Sequence, residues 1–164
     1  MKERATWRIW IVLIVAFAVQ TTWLAPLRPL GTWIDLGLLT TVSVALLLGF
    51  QVGAIYGLVA GLLTGYGTAF NVGSFMVSRA AVGAVFGSFE TRFSGDNPLA
   101  PPICAACAVV LANLVFALMS PTTFPFDWWW QQTLRGVIVH ALLIVPLHPL
   151  LARLLLPPTR SMFA

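Results

Sequence analysis

Five polar residues in or beside long apolar segments are this sequence's candidates for chemistry: Asp35, Arg79, Asn113, Arg135 and His140. Histidine exchanges protons near neutral pH and arginine pairs with anions. A cluster of Asn113, Arg135 and His140 would therefore suit an anion site or a proton relay. Arg79 is the most informative, because a charge within an apolar span costs at least about 2.5–3.5 kcal/mol and needs a partner or a watery cavity. We predict that Arg79 pairs with Asp35 or Asp127, and a contact with a ligand or partner protein is the alternative.

Residues of the kind that carry catalysis are sparse. No carboxylate stands at catalytic spacing from Asn113, Arg135 and His140, so a hydrogen-bonded structural role is the main expectation for His140. Cys104 and Cys107 form a CxxC pair, but a membrane disulfide-exchange enzyme needs a second pair. No HExxH, GxSxG, P-loop or GxGxxG motif is present. We therefore predict no enzymatic activity, no cofactor and no metal site.

The elements that must position these residues are membrane spans. Of the 164 residues, 59% are hydrophobic and only 9% are charged, whereas soluble domains carry about 25% charged residues. A soluble domain of ~150 residues buries only about 70% of its unfolded surface and cannot hide so much apolar area. The composition excludes a soluble domain and a disordered chain, and the scattered basic residues exclude a nucleic-acid binder. We predict an all-α polytopic membrane helix bundle, with 1–164 as one transmembrane domain.

Apolar runs and their breaks define the spans, since a spanning helix needs ~20 apolar residues. They predict six spans, at about 9–24, 31–50, 52–69, 73–89, 103–120 and 131–155. With both termini cytoplasmic, six basic residues fall on the inner side: Lys2, Arg4, Arg8, Arg92, Arg153 and Arg160. The outer loops then hold only Arg28, as the positive-inside rule requires. A five-span alternative would place Arg153 and Arg160 outside.

Glycine recurs at every fourth position along the third predicted span. The series is Gly49, Gly53, Gly57, Gly61 and Gly65, and the fourth span carries Gly83 and Gly87 at the same spacing. Residues four apart share one face of a helix, and small residues there let two helices approach closely in lipid. We predict a helix-packing face within the chain, with an interface between molecules, including a homodimer, as the alternative.

The segment 49–87 reads GFQVGAIYGLVAGLLTGYGTAFNVGSFMVSRAAVGAVFG and resembles the central block of the rod shape-determining protein MreD family. Those bacterial inner-membrane proteins have about this length, a handful of spans and little extramembrane mass. Their Pro…Asp-Leu at the start of the second span is matched here by Trp33-Ile34-Asp35-Leu36. The resemblance covers about 30–120. An acidic residue that family members often carry at the end of the third span is replaced here by Thr64-Gly65.

The resemblance implies a non-enzymatic scaffold of the elongasome, which sets rod cell shape through lateral peptidoglycan synthesis. Its expected partner is the bitopic protein MreC. Further partners are the actin-like protein MreB, a membrane-embedded glycan polymerase and a penicillin-binding transpeptidase. The expected location is the bacterial inner (cytoplasmic) membrane, as a multi-pass protein in contact with lipid.

The competing interpretation is the substrate-capture subunit of a small-molecule, vitamin-type importer of the energy-coupling-factor kind, whose overall design MreD-like proteins share. Arg79, Asn113, Arg135 and His140, with Trp128–Trp130, would then line an outward-facing pocket. An enzyme acting on lipid is a third, more distant interpretation. The observation that discriminates between the first two is whether these side chains converge on a cavity large enough for such a ligand.

Overall fold

The computed structural model describes residues 3–89, 99–120 and 126–156, except the side chains of residues 3–6, 126 and 128. These residues form six α-helices and no strand: α1 (Glu3–Val19), α2 (Leu36–Leu48), α3 (Phe50–Thr68), α4 (Val72–Gly87), α5 (Ala100–Met119) and α6 (Phe126–Leu155). A π-helical turn, Gln20–Leu24, extends α1, and a short 3-10 turn spans Pro29–Gly31. The prediction of an all-α fold is confirmed.

Several helix boundaries differ from the predicted spans, and two of the differences affect the residues of interest. The second helix begins at Leu36 rather than near 31, because Gly31 has a positive φ of 76° and Thr32 is extended. The last helix begins at Phe126 rather than 131, so the three tryptophans at 128–130 lie in its first turns rather than in a loop. It contains Pro146 and Pro149, which helices in a membrane tolerate when neighbouring groups satisfy the freed carbonyls.

Four helical segments are long and apolar enough to cross a membrane: Trp7–Leu24, Phe50–Thr68, Ala100–Met119 and Trp129–Leu155. The other two helices, α2 and α4, have 13 and 16 residues, or about 20 and 24 Å at a rise of 1.5 Å per residue. Both are shorter than the ~30 Å hydrocarbon layer. All residues from Gly37 to Leu46 are buried, so α2 is enclosed by the other helices.

The bundle is built around α2, which packs against each of the other five helices. Only Gly49 separates α2 from α3, and its φ of 86° reverses the chain without a longer loop. Residues 69–71 join α3 to α4 in a similarly short turn. These connections make α2, α3 and α4 successive antiparallel neighbours. Leu39 and Val42 of α2 and Val82 of α4 share one hydrophobic core with α5 and α6, and none of the three is more than 1% exposed.

The outer surface is apolar. Large aliphatic side chains on the long helices point away from the core, and Ile14, Leu118 and Leu142 are 63%, 68% and 68% exposed. A water-soluble protein rarely exposes large contiguous apolar patches. The exposed side chains therefore support the prediction that the chain is a membrane protein.

The start of α1 and the end of α6 lie at the same end of the bundle. Arg8 Nη1 donates a hydrogen bond to the carbonyl oxygen of Leu154 at 3.2 Å. Of the basic residues assigned to the cytoplasmic side, Lys2, Arg92 and Arg160 and the side chain of Arg4 lie outside the described residues. The contact at Arg8 places the first turns of α1 beside the last turn of α6.

Candidate functional site

A cavity of about 540 Å³ opens at the opposite end of the bundle, where α1 ends and α2 begins. All six helices contribute to its walls. Its polar lining includes Gln20, Asp35, Thr64, Arg79, Asn113, Gln132, Thr133 and His140. Its aromatic lining comprises Phe17, Trp33, Phe70, Phe75, Phe116 and Trp129. Ligand pockets usually measure about 300–1,000 Å³ and combine apolar walls with a few placed polar groups, so this cavity has the size and composition of a small-molecule site.

An ion pair between Arg79 and Asp35 spans the cavity wall. Arg79 lies on α4 and is 4% exposed, and its Nη2 donates to Asp35 Oδ2. The guanidinium also lies over the ring of Phe75, 4.6 Å from its centroid. Of the two acids that the sequence offered, Asp35 is thus the partner, and the buried charge is neutralised within the chain.

The buried start of α2 explains why polar side chains gather here. The first N–H groups of a helix have no partner inside the helix and must find one elsewhere, above all in an apolar surrounding. The N–H of Asp35 donates to His140 Nε2 at 2.9 Å, that of Gly37 to Gln20 Oε1 at 3.2 Å, and that of Leu38 to Asp35 Oδ1 at 2.9 Å. Side chains from α1 and α6 therefore help the cap residue Asp35 to satisfy the backbone N–H groups at the start of α2.

His140 is engaged through both ring nitrogens. Since Nε2 accepts from the N–H of Asp35, the ring proton is assigned to Nδ1, which donates to the carbonyl oxygen of Gly136 at 2.7 Å. The side chain is buried. This arrangement fixes one tautomer and leaves neither nitrogen free for proton transfer, so His140 joins α6 to α2.

Asn113 and Arg135 have different surroundings. Asn113 lines the cavity from α5, and its Nδ2 donates to Thr133 Oγ1 at 3.1 Å. The Thr133 hydroxyl in turn donates to the carbonyl oxygen of Trp129 at 2.9 Å. Arg135 is exposed on α6 and does not line the cavity. A methyl group added at Gly31 would lie 3.5 Å from its Nη1. The structure therefore brings together Asp35, Arg79, Asn113 and His140, and leaves Arg135 apart.

Two polar atoms of the lining side chains are buried without a hydrogen-bond partner among the described residues. They are the donor Arg79 Nε and the acceptor Gln132 Oε1. A buried polar group without a partner costs about 1–3 kcal/mol, and native proteins satisfy most such groups with water, an ion or a ligand. The size of the cavity, its aromatic wall and its polar lining make it a candidate binding site.

The glycine series forms a close contact between α3 and α4, which we call the glycine seam: Gly53, Gly57, Gly61 and Gly65 on α3, and Gly83 and Gly87 on α4. A methyl group added at Gly53 would lie 2.6 Å from the carbonyl oxygen of Gly83, and one at Gly87 would lie 2.6 Å from Phe50 Cα. At Gly57 and Gly61 it would meet the carbonyl oxygens of Arg79 and Phe75. Of the two interpretations of this face, the contacts observed are those of internal packing, and Gly49 serves the α2–α3 turn.

Neither cysteine of the CxxC pair lines the cavity, and both are free thiols. Within the described ranges, no three His, Cys, Asp or Glu side chains form a group that could hold a metal ion. Sequence reasoning missed Gln20, Gln132 and Thr133. Their signal was a polar residue inside or at the edge of an apolar span, the same signal that singled out Asn113.

No protein-family model, curated protein or solved structure matches this chain. What the cavity can do therefore follows from its own side chains. Its charged groups pair with each other and its imidazole is held in one tautomer. This arrangement suits recognition of a bound molecule or rigid support of the bundle better than acid–base chemistry.

Proposed function

We propose that this chain is a non-enzymatic scaffold of the bacterial cell-wall elongation machinery, of the rod shape-determining MreD kind. It acts in the inner membrane and supports rod shape and lateral peptidoglycan synthesis by binding MreC. The observation that carries the proposal is how the intramembrane polar groups are used. Asp35 at the start of α2 pairs with Arg79 on α4, and His140 on α6 bonds to the backbone N–H of Asp35 and to the carbonyl oxygen of Gly136. These bonds tie three helices together and make the bundle rigid.

The residues behind the MreD resemblance also have structural roles. Asp35, in the segment that matches the start of the family's second span, caps α2 and neutralises Arg79. The segment 49–87, which carries the rest of the resemblance, forms α3, α4 and the glycine seam. Both features support a protein whose function depends on a fixed helix arrangement.

The proposed topology has six spans with both termini in the cytoplasm. The short turns around Gly49 and residues 69–71 make α2 to α4 alternate in direction, and Arg8 meets Leu154 at one end. In this proposal the shorter helices α2 and α4 cross inside the bundle, where the neighbouring helices rather than lipid surround α2. The positive-inside rule puts the end with Arg8 and Arg153 in the cytoplasm.

Partner binding falls to the outer helix faces, because the glycine seam is occupied within the chain. The apolar side chains exposed on α1, α5 and α6, among them Ile14, Leu118 and Leu142, offer surface to lipid and to the single span of MreC. Association with MreB, the glycan polymerase and the penicillin-binding transpeptidase would be indirect, through MreC, or direct, at surfaces next to the one that binds MreC.

The direct test is co-purification from the membranes of the chain's own host. A tagged chain solubilised in mild detergent should retain MreC at near-stoichiometric amounts, identified by mass spectrometry. The control is the same tag on an unrelated multi-pass protein. Recovery without MreC or any other elongation protein, from membranes that contain them, would contradict the proposal.

The cavity favours a second candidate, the substrate-capture subunit of a small-molecule importer. Arg79, Asn113 and His140 line a cavity of about 540 Å³ together with Trp129, as that interpretation requires, although Arg135 does not. The same purification discriminates between the two candidates. A capture subunit should retain a membrane coupling subunit and an ATPase pair instead of MreC.

A further inference from the structure

The cavity is electrically balanced. Arg79 and Asp35 are the only charged side chains among the described residues that line it, and they pair with each other. His140 has both ring nitrogens in hydrogen bonds. A ligand with a net charge would enter an apolar surrounding without a counter-charge, which is strongly unfavourable. The occupant that fits is therefore uncharged.

Polar side chains on α5 and α6 define where the polar part of such an occupant lies. Asn113, Gln132 and Thr133 line the cavity, and Asn113 Nδ2 donates to Thr133 Oγ1 at 3.1 Å. The rest of the wall includes the rings of Phe17, Phe75 and Phe116. Water could bond to these polar side chains, but it gains nothing from the aromatic wall, whereas an amphipathic molecule contacts both the polar and the aromatic side chains.

We propose that the cavity binds one uncharged, amphipathic small molecule, whose apolar body packs on the aromatic wall. Its polar end contacts the polar side chains that line the cavity on α5 and α6, among them Asn113, Gln132 and Thr133. The inference requires the cavity alone, so it holds whether or not the chain binds MreC or a transport partner.

The test compares two probes with the same ring system. N-phenyl-1-naphthylamine is neutral and carries an N–H donor, and 8-anilino-1-naphthalenesulfonate adds a sulfonate to it. The purified full chain should bind one molecule of the neutral probe, counted by native mass spectrometry. The anionic probe should bind at least about tenfold more weakly, because its charge is left uncompensated in the cavity.

Two pairs of variants locate the binding. Ala112 is buried and lines the cavity, whereas Leu114 on the same helix is 48% exposed. Ala112→Trp should abolish binding of the neutral probe, and Leu114→Trp should leave it unchanged. Gln132→Leu should weaken binding about fivefold through loss of one hydrogen bond, whereas Gln131→Leu, at an exposed position outside the lining, should not.

The results that overturn the inference are equally specific. They are binding of the anionic probe as tight as that of the neutral one, absence of neutral-probe binding, or equal binding by Ala112→Trp and Leu114→Trp. If Ala112→Trp does not fold, the comparison of Gln132→Leu with Gln131→Leu still tests whether the probe binds in the cavity. Displacement of the probe by monoolein would identify a membrane-derived occupant, and displacement by riboflavin would identify a solute, both in accord with the proposal.

Discussion

Asp35 shows how much one side chain does at the start of α2. Its Oδ1 accepts the N–H of Leu38, its Oδ2 accepts from Arg79, and its own N–H donates to His140. Because the cap and the ion pair share one carboxylate, the position of α4 is tied to the first turn of α2. Substitutions at this position therefore test helix capping and charge pairing together.

Asp35→Asn should strongly destabilise the bundle. The amide can still cap α2, but Arg79 is left charged, buried and without its counter-ion, which costs about 3–5 kcal/mol in proteins. The measurement is thermal unfolding in detergent, with Asp127→Asn as control because Asp127 is exposed. Adding Arg79→Gln to Asp35→Asn should restore part of the loss. Equal melting temperatures for Asp35→Asn and Asp127→Asn would mean that the Asp35–Arg79 ion pair does not stabilise the fold.

His140→Phe should lower the free energy of unfolding by about 1–3 kcal/mol, because the buried N–H of Asp35 loses its acceptor. His148→Phe is the matched control on the same helix. The Nδ1 atom of His148 is buried without a hydrogen-bond partner among the described residues, so its removal should be nearly neutral. Chemical or thermal unfolding compares the two. A larger loss for His148→Phe would be evidence against the assigned role of His140.

At the scale of elements, the glycine seam sets the distance between α3 and α4. The two helices approach so closely that a side chain on one would meet the backbone of the other, as at Gly53 with Gly83. Close backbone approach is how helices without bulky side chains gain packing energy in lipid. The seam also holds the backbone of Arg79 in place, so it positions the ion pair at the cavity.

Gly57→Ala should destabilise the seam by about 1–3 kcal/mol through overpacking. The added methyl group would meet the carbonyl oxygen of Arg79 and lie 3.0 Å from Thr41 Cγ2. Gly73→Ala is the control, since nothing lies within 4 Å of a methyl group there; it should leave stability unchanged or raise it slightly, because alanine favours a helix. The measurement is the melting temperature of each variant in detergent. An unchanged melting temperature for Gly57→Ala would show that α3 and α4 pack less closely than described.

At the scale of the whole molecule, the chain presents two unlike ends. One end has Arg8 against Leu154. The other has the cavity and the capped start of α2. The enclosed position of α2 lets the polar groups at its start be satisfied by side chains from other helices rather than by water.

Cysteine labelling tests the proposed orientation. In a background with Cys104→Ser and Cys107→Ser, Trp7→Cys and Leu156→Cys stand at one end and Ala25→Cys at the other, all at exposed positions. A membrane-impermeant maleimide should label only Ala25→Cys in intact spheroplasts, and the other two after permeabilisation. Labelling of Trp7→Cys without Leu156→Cys, or the reverse, in intact spheroplasts would contradict an even number of spans.

The sequence was enough to predict a membrane protein and much of its helix pattern. Hydrophobicity and four-residue periodicity are local properties of the chain, so composition indicated a membrane protein and the glycine spacing indicated a smooth helix face. The same reasoning showed that Arg79 needs a partner, because an unpaired charge in an apolar segment is costly in any fold. Helix ends near Leu36 and Phe126 were less accurate, since caps and turns decide them.

Only the tertiary structure decided which groups meet. The choice of Asp35 rather than Asp127 as partner of Arg79, and the contact of His140 with a backbone N–H 105 residues away, depend on how the helices pack around α2. The cavity is likewise a property of that packing, because its lining comes from all six helices. Contacts between residues distant in sequence follow from side-chain fit across the bundle, which no local pattern in the chain encodes.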